Sequence, residues 1–176
     1  MIEVEAKIRI SDVKSVRKRV KRFGKYIGRE RKIDDYYTLE DLKSYPKKSL
    51  RIRKKGKIFE INFKQRISYV KGVHAKNESE FIIRDVRPFL DLINDFGFKK
   101  WLRKKKLSEI YEISANFHIE INHVKSLGWF IEIEYLCDKS EIVNARKKVL
   151  DIAKKLGISD REIIKEGYTK MLWDKR

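Results

Sequence analysis

The chain has one cysteine, Cys137, two prolines, and no apolar run near the roughly 20 residues that cross a bilayer. A lone cysteine excludes an internal disulfide framework or cysteine metal cluster, and it fits a reducing, cytoplasmic setting. The lack of a long apolar run excludes a membrane-spanning helix. The first residues alternate charged with apolar side chains at once, so no signal peptide is expected. There is no solenoid repeat, low-complexity tract or long linker, and residues 1–176 are expected to form a single domain. Three histidines, His74, His118 and His123, are present, and none has metal-ligand spacing.

Charge, by contrast, is abundant. Charged residues make up 40% of the chain, apolar residues 41%, and the formal net charge is +18. That much Ile, Leu, Val and Phe excludes a disordered chain. The positive excess has two readings: a polyanionic partner, or a Lys- and Glu-rich surface of the thermophile kind. Lys and Arg are spread along the whole chain, so position decides rather than number.

Several segments alternate with the period of a strand. Val4, Ala6 and Ile8 share one face of residues 2–8; Glu3, Glu5 and Lys7 share the other. The same reading sets Leu50 and Ile52 against Arg51 and Arg53, and Phe59, Ile61 and Phe63 against Glu60, Asn62 and Lys64. Glu78 and Glu80 share a face. Phe117, Ile119 and Ile121 oppose His118, Glu120 and Asn122. Trp129, Ile131, Ile133 and Tyr135 oppose Phe130, Glu132 and Glu134. Residues 33–38 predict a short strand, 65–75 a loop or irregular hairpin, and 98–113 one long strand or two. Lys55-Gly56-Lys57 predicts a hairpin turn.

Helices are predicted where capping signals meet a 3.6-residue apolar stripe. Ser11 or Asp12 caps one with Val13, Val16, Val20 and Phe23 inward. Pro88 opens a short one that Gly97 ends. Asp138 with Glu141 opens one running to about Leu156, and Ser159 with Glu162 precedes a final one. Strands with few, mostly late helices point to an α+β fold around an antiparallel sheet or barrel.

On any one strand, a charged face could simply be wet. The set is harder to explain that way. Acidic pairs at i, i+2 occur at Glu3/Glu5, Glu78/Glu80 and Glu132/Glu134; basic pairs occur at Arg51/Arg53 and Lys104/Lys106. Like charges facing one another across strands are destabilising unless something neutralises them. Clustered carboxylates bind hard cations such as Mg²⁺ or Mn²⁺, and rows of Arg and Lys bind phosphate oxygens. If helices cover the apolar faces and the sheet closes, the charged faces line a hydrated lumen.

The ordered series resembles the CYTH superfamily, the triphosphate tunnel metalloenzymes, in its archaeal and class IV adenylyl cyclase-like branch. Glu3-Val-Glu-Ala-Lys7 matches the ExExK signature, Asp34-x-Tyr36 the DxY segment, and Leu50-Arg51-Ile52-Arg53 the LRIR strand. Lys64 falls at a family strand lysine, Glu78-x-Glu80 at the second acidic pair, Leu127 to Glu134 at the LGxFxExE block, and Gly167-Tyr168 at a frequent Ser-Tyr. The chain departs where Ser108 replaces a family arginine, for which Arg103 or Lys104 could compensate, and where Asn122 replaces an aspartate.

The resemblance implies a closed eight-stranded antiparallel β-barrel, the triphosphate tunnel, with helices packed outside. It implies a metal-dependent triphosphatase acting on inorganic triphosphate or nucleoside triphosphates such as ATP, or else an adenylyl cyclase. Glu5, Lys7 and Glu134 are the expected catalytic residues. Lys7, Arg51, Arg53, Lys64, Lys104 and Lys106 are expected to hold the triphosphate. Glu3, Glu5, Glu78, Glu80, Glu120, Glu132 and Glu134 are expected to hold Mg²⁺ or Mn²⁺. Glu60 and Asn62 face the same way and could support them; Tyr36, Tyr168 and Cys137 read as packing residues. The partners expected are a triphosphate-bearing small molecule and a second copy of the chain in a homodimer, with no membrane. A third reading is a basic nucleic-acid-binding module without catalysis; it is disfavoured, because the acidic pairs repel phosphate unless metal is present.

Overall fold

A computed structural model describes residues 2–70 and 73–176; the side chains of residues 64–67, 69, 77 and 78 lie outside the described set. The strands are β1 (Ile2–Arg9), β2 (Lys25–Thr38), β3 (Leu50–Lys55), β4 (Ile58–Val70), β5 (Val73–Ile83), β6 (Lys99–Ser114), β7 (Phe117–Val124) and β8 (Gly128–Cys137). The helices are α1 (Val13–Val20), α2 (Arg87–Asp95), α3 (Ile142–Lys155) and α4 (Tyr168–Trp173). All strand pairs are antiparallel, in the order β1-β5-β4-β3-β2-β6-β7-β8, and β1 also touches β5 over a short stretch.

Local chemistry sets the joints. The Asp12 carboxylate accepts a hydrogen bond from the Ser15 amide at 3.0 Å and starts α1. Gly56, at φ +57, takes the left-handed conformation that lets β3 turn into β4 in two residues. Gly97, at φ +83, ends the α2 region the same way. Glu141 reaches back to the Asp138 amide at 3.3 Å ahead of α3.

The apolar faces point outward under the helices. Val16 and Val20 of α1, and Ile142, Ala145, Val149, Ile152 and Ala153 of α3, pack on Val4, Ala6, Ile8, Ile119, Ile121, Ile131 and Ile133. Ile93 of α2 packs on Tyr37, Ile52 and Ile61. Because strand side chains alternate, burying these faces under helices turns the charged faces inward.

The expected closed eight-stranded antiparallel barrel with helices packed outside is corrected on two points. The sheet is a strongly curled half-barrel that stays open along most of the β1–β5 edge. Among the described residues β1 pairs with β5 only from Ile2–Asn77 to Glu5–His74, whereas it pairs with β8 along its full length. Past Glu5 the open edge of β1 takes the C-terminal segment instead: the Ile164 amide donates to the Lys7 carbonyl at 2.7 Å, and Ile8 bridges to Ile163. Tilted strands of unequal length leave unmatched ends, and this segment satisfies them. Second, α4 does not lie outside, because its first residue, Tyr168, is buried against lumen residues Lys7 and Phe130.

Three element boundaries also differ. β2 begins eight residues before the expected short strand, because Lys25–Lys32 pairs with β6 despite weak alternation. Residues expected to form a loop extend β4 and β5 into a long hairpin with a register shift between Arg66 and Ser68; Lys71 and Gly72 lie outside the described residues. Ser159 and Glu162 cap only a short 3₁₀ turn, Asp160–Glu162, and the last helix starts later at Tyr168.

Candidate functional site: a charged lumen

Each strand contributes its polar face. β1 supplies Glu3, Glu5 and Lys7. β2 supplies Lys32, Asp34 and Tyr36, β3 supplies Arg51 and Arg53, β4 supplies Glu60 and Asn62, and β5 supplies Lys76 and Glu80. Lys104, Lys106 and Ser108 come from β6, Glu120 and Asn122 from β7, and Glu132 and Glu134 from β8. Lys64 and Glu78 face each other in the β4–β5 register, and their side chains lie outside the described set.

The lumen has polarity. At the end where β1 begins and β8 ends, side chains reach solvent: Glu80 is 41% exposed and Glu3 12%. At the other end Lys7 and Lys106 are buried, and the Tyr168 ring lies across Lys7, Lys104 and Lys106 at 4.3, 5.4 and 5.9 Å from their ammonium groups. Three lumen cations therefore gather beneath the Tyr168 ring at that end.

Within the wall the charges pair. Arg53 grips Asp34 through two bonds, 2.7 and 3.0 Å, and Lys104 lies 3.0 Å from the same carboxylate. Burial alone would raise the Asp34 pKa; Lys104 and Arg53 hold it far below the usual carboxylate range. Lys106 donates to Glu120 at 2.7 Å and Glu132 at 3.0 Å. Burial opposes its charge, but Glu120 and Glu132 push its pKa up. Lys7 lies 2.9 Å from Glu5 and 3.3 Å from Glu132. Arg51 bonds Glu60 at 2.6 Å.

Glu134 behaves differently. Among the described residues no ammonium or guanidinium lies within ion-pair distance of it, and burial together with the charges of Glu120, Glu132 and Glu5 raises its pKa to about 7. Ligand oxygens of Glu3, Glu5 and Glu134 lie within 4.8 Å of one another, and so do those of Glu120, Glu132 and Glu134. Mutually repelling carboxylates this close fit a hard divalent cation, which neutralises them and accepts oxygen donors in flexible number.

Most expected site residues come together. Glu80 lies nearer Arg51, at 3.9 Å, and Asn62 donates to it at 3.4 Å; it belongs to neither carboxylate triplet. Arg103 points outward to Asp35, two bonds of 2.6 and 2.7 Å, so it cannot compensate for Ser108; Lys104 does face the lumen. Two lumen cations had escaped notice in the sequence. Lys32 donates to Glu120 at 2.6 Å, and Lys76 donates to Glu5 at 2.9 Å. The run Glu30, Lys32, Asp34, Tyr36 carried a signal for the first, since all four share one face of β2.

A curled antiparallel sheet whose inner wall alternates cations with convergent carboxylates is compatible with a divalent-metal site. The CYTH domain profile matches residues 1–168, and the chain belongs to that family. It is 29% identical over 175 residues to a Methanocaldococcus jannaschii protein provisionally named an adenylate cyclase, covering 97% of this chain and 98% of that one. A solved Pyrococcus horikoshii protein superposes with a TM-score of 0.82 at 28% identity, covering 99% of both chains. A Hippeastrum protein shares the fold at 18% identity and TM-score 0.63, covering 97% of this chain and 93% of that one.

Proposed function

We propose that the chain is a divalent-metal-dependent triphosphatase that hydrolyses inorganic triphosphate or nucleoside triphosphates within the lumen. The observation that carries this reading is the pair of carboxylate triplets meeting at Glu134, with Lys7 and Lys106 bonded to their neighbours. In the Hippeastrum relative, described as an adenylyl cyclase, triphosphatase activity dominates.

Glu3, Glu5, Glu120, Glu132 and Glu134 would hold Mg²⁺ or Mn²⁺, which supplies the positive charge that polarises the terminal phosphoryl group. Lys7, Lys104, Lys106, Arg51 and Arg53 neutralise and orient the triphosphate oxygens, with Lys64 set on the same wall. These cations are held by carboxylates in the free protein, so binding exchanges one set of ion pairs for another. Glu134 accepts the proton of the attacking water at a carboxylate oxygen. The water oxygen bonds to the terminal phosphorus as the bridging P–O bond breaks, releasing orthophosphate and pyrophosphate, or ADP from ATP. Positioning and charge neutralisation carry most of such catalysis.

The test is product analysis by chromatography after incubation with triphosphate or ATP and Mg²⁺ or Mn²⁺. Orthophosphate without cyclic AMP supports hydrolysis. Cyclic AMP with pyrophosphate would make the protein a cyclase using the same cradle. No metal-dependent product overturns the reading.

A further inference from the structure

We propose that the outer face formed by α1 and the adjoining stretch of β2 and β6 binds single-stranded nucleic acid. Lys14, Lys18, Lys21, Arg22 and Arg31 are all exposed, and among the described residues none has an ion-pair partner. Some surface cations elsewhere are paired, Lys100 and Arg103 with Asp35, Arg87 with Asp85 and Lys43 with Asp41; what sets this face apart is the run of cations along one stretch of chain. From Val13 to Ile33 the sole acidic residue is Glu30, and it lies 3.4 Å from the lumen cation Lys32. A surface stabilised by ion-pair networks would intersperse signs, whereas here the carboxylate that pairs with Arg17 and Arg29 is the buried Glu109 beneath the exposed cations.

Helix and sheet form one continuous patch because Glu109 ties them together. Buried on β6, it accepts two bonds from Arg17 of α1, 2.7 and 2.8 Å, and one from Arg29 of β2 at 3.0 Å. Lys14, Arg17, Lys18 and Lys21 line a shallow depression beside it. The acidic residues Glu3, Glu5, Glu132 and Glu134 that argued against nucleic acid face the lumen and not this surface.

The choice of partner follows from the apolar groups. Val16 and Val20 of α1 are packed in the core, so the helix keeps no apolar stripe to lower into a lipid bilayer. The adjoining sheet exposes Tyr26, Ile27 and Leu107 between its cations, at 47%, 52% and 39%. Cations beside exposed aromatic and aliphatic groups suit unpaired bases with a phosphate backbone.

The experiment is fluorescence anisotropy with a labelled 5′-hydroxyl single-stranded oligonucleotide of about twenty nucleotides, in EDTA, at about 50 and 200 mM salt. Four phosphate contacts at a slope of about −0.7 each predict roughly fifty-fold weaker binding at the higher salt. The triple variant Lys14→Glu, Lys18→Glu, Lys21→Glu should lose more than about tenfold in affinity at low salt, flatten the slope, and keep full turnover of triphosphate. The lumen variant Arg53→Lys should bind the oligonucleotide as the parent does. No binding at low salt, equal binding by the triple variant, binding lost in Arg53→Lys, or preference for duplex or for anionic vesicles would each overturn the proposal. None of these results bears on hydrolysis in the lumen, which product analysis tests separately.

Discussion

Arg53 of β3 and Asp34 of β2 stand opposite each other in the sheet and are joined by two parallel guanidinium–carboxylate bonds, with the carboxylate fully buried. A lysine cannot reproduce this fork. Arg53→Lys keeps the charge, so melting temperature should change by only a few degrees, while kcat/KM for triphosphate should fall about 100-fold, the loss typical of a misplaced charge-stabilising donor. Steady-state kinetics beside calorimetry checks both. Unchanged kinetics would remove Arg53 from the cradle.

Removing Asp34 should act mainly on stability. Asp34→Ala leaves Arg53 and Lys104 facing each other in a buried wall, and breaking a buried pair costs about 3–5 kcal/mol. Denaturant titration of the metal-free protein reads this directly. A cost below about 1 kcal/mol would mean that water reaches the pair and screens it as at a surface.

Glu134 sets a pH dependence of unusual sign. Its pKa in the folded protein, about 7, lies above the value of a free glutamate, raised by burial and by neighbouring carboxylates. Its contribution to stability is therefore complete at acid pH and is lost as pH rises through 7. Glu134→Gln removes that loss. The stability difference between the variant and the parent should grow from about pH 5 to 7, by at most about 1.4 kcal/mol per pH unit, and level off above. Thermal melts across pH in EDTA test it; a flat difference would place Glu134 in contact with a cation or with bulk water.

Metal should reverse that effect. At neutral pH, Mg²⁺ or Mn²⁺ at about 100 times its dissociation constant should stabilise the protein by about 2.7 kcal/mol. The gain should disappear in Glu134→Gln, since Glu134 belongs to both carboxylate triplets. A gain that survives in the variant would locate the ion elsewhere.

Tyr168 separates packing from function. Its hydroxyl is buried beside Asn122 and Glu132 and, among the described residues, completes no hydrogen bond. Removing an unsatisfied buried hydroxyl is neutral or mildly stabilising, so Tyr168→Phe should melt at the same or a higher temperature, within about 1 kcal/mol. If the hydroxyl meets a phosphate oxygen at its end of the lumen, KM for triphosphate should nonetheless rise several-fold. Unchanged KM would leave Tyr168 a packing residue.

Much of this architecture is written locally. The alternation in Glu3-Val-Glu-Ala-Lys7, Leu50 to Arg53 and Phe130 to Glu134 determines which side chains share a face, because consecutive strand residues point to opposite sides. Capping residues Asp12 and Asp138 and the turn at Gly56 mark their elements for the same local reason. Only the tertiary structure decided which carboxylates meet. Glu120 on β7 reaches Lys32 on β2 because the sheet curls, and no periodicity within either strand reports a contact 88 residues away. The short β1–β5 seam, the C-terminal segment along the free edge of β1, and the entry of Tyr168 into the lumen depend on strand tilt and on where unmatched strand ends need partners. Those are properties of the curled wall as a whole, and a sequence pattern specifies faces, not the path along which the wall curls.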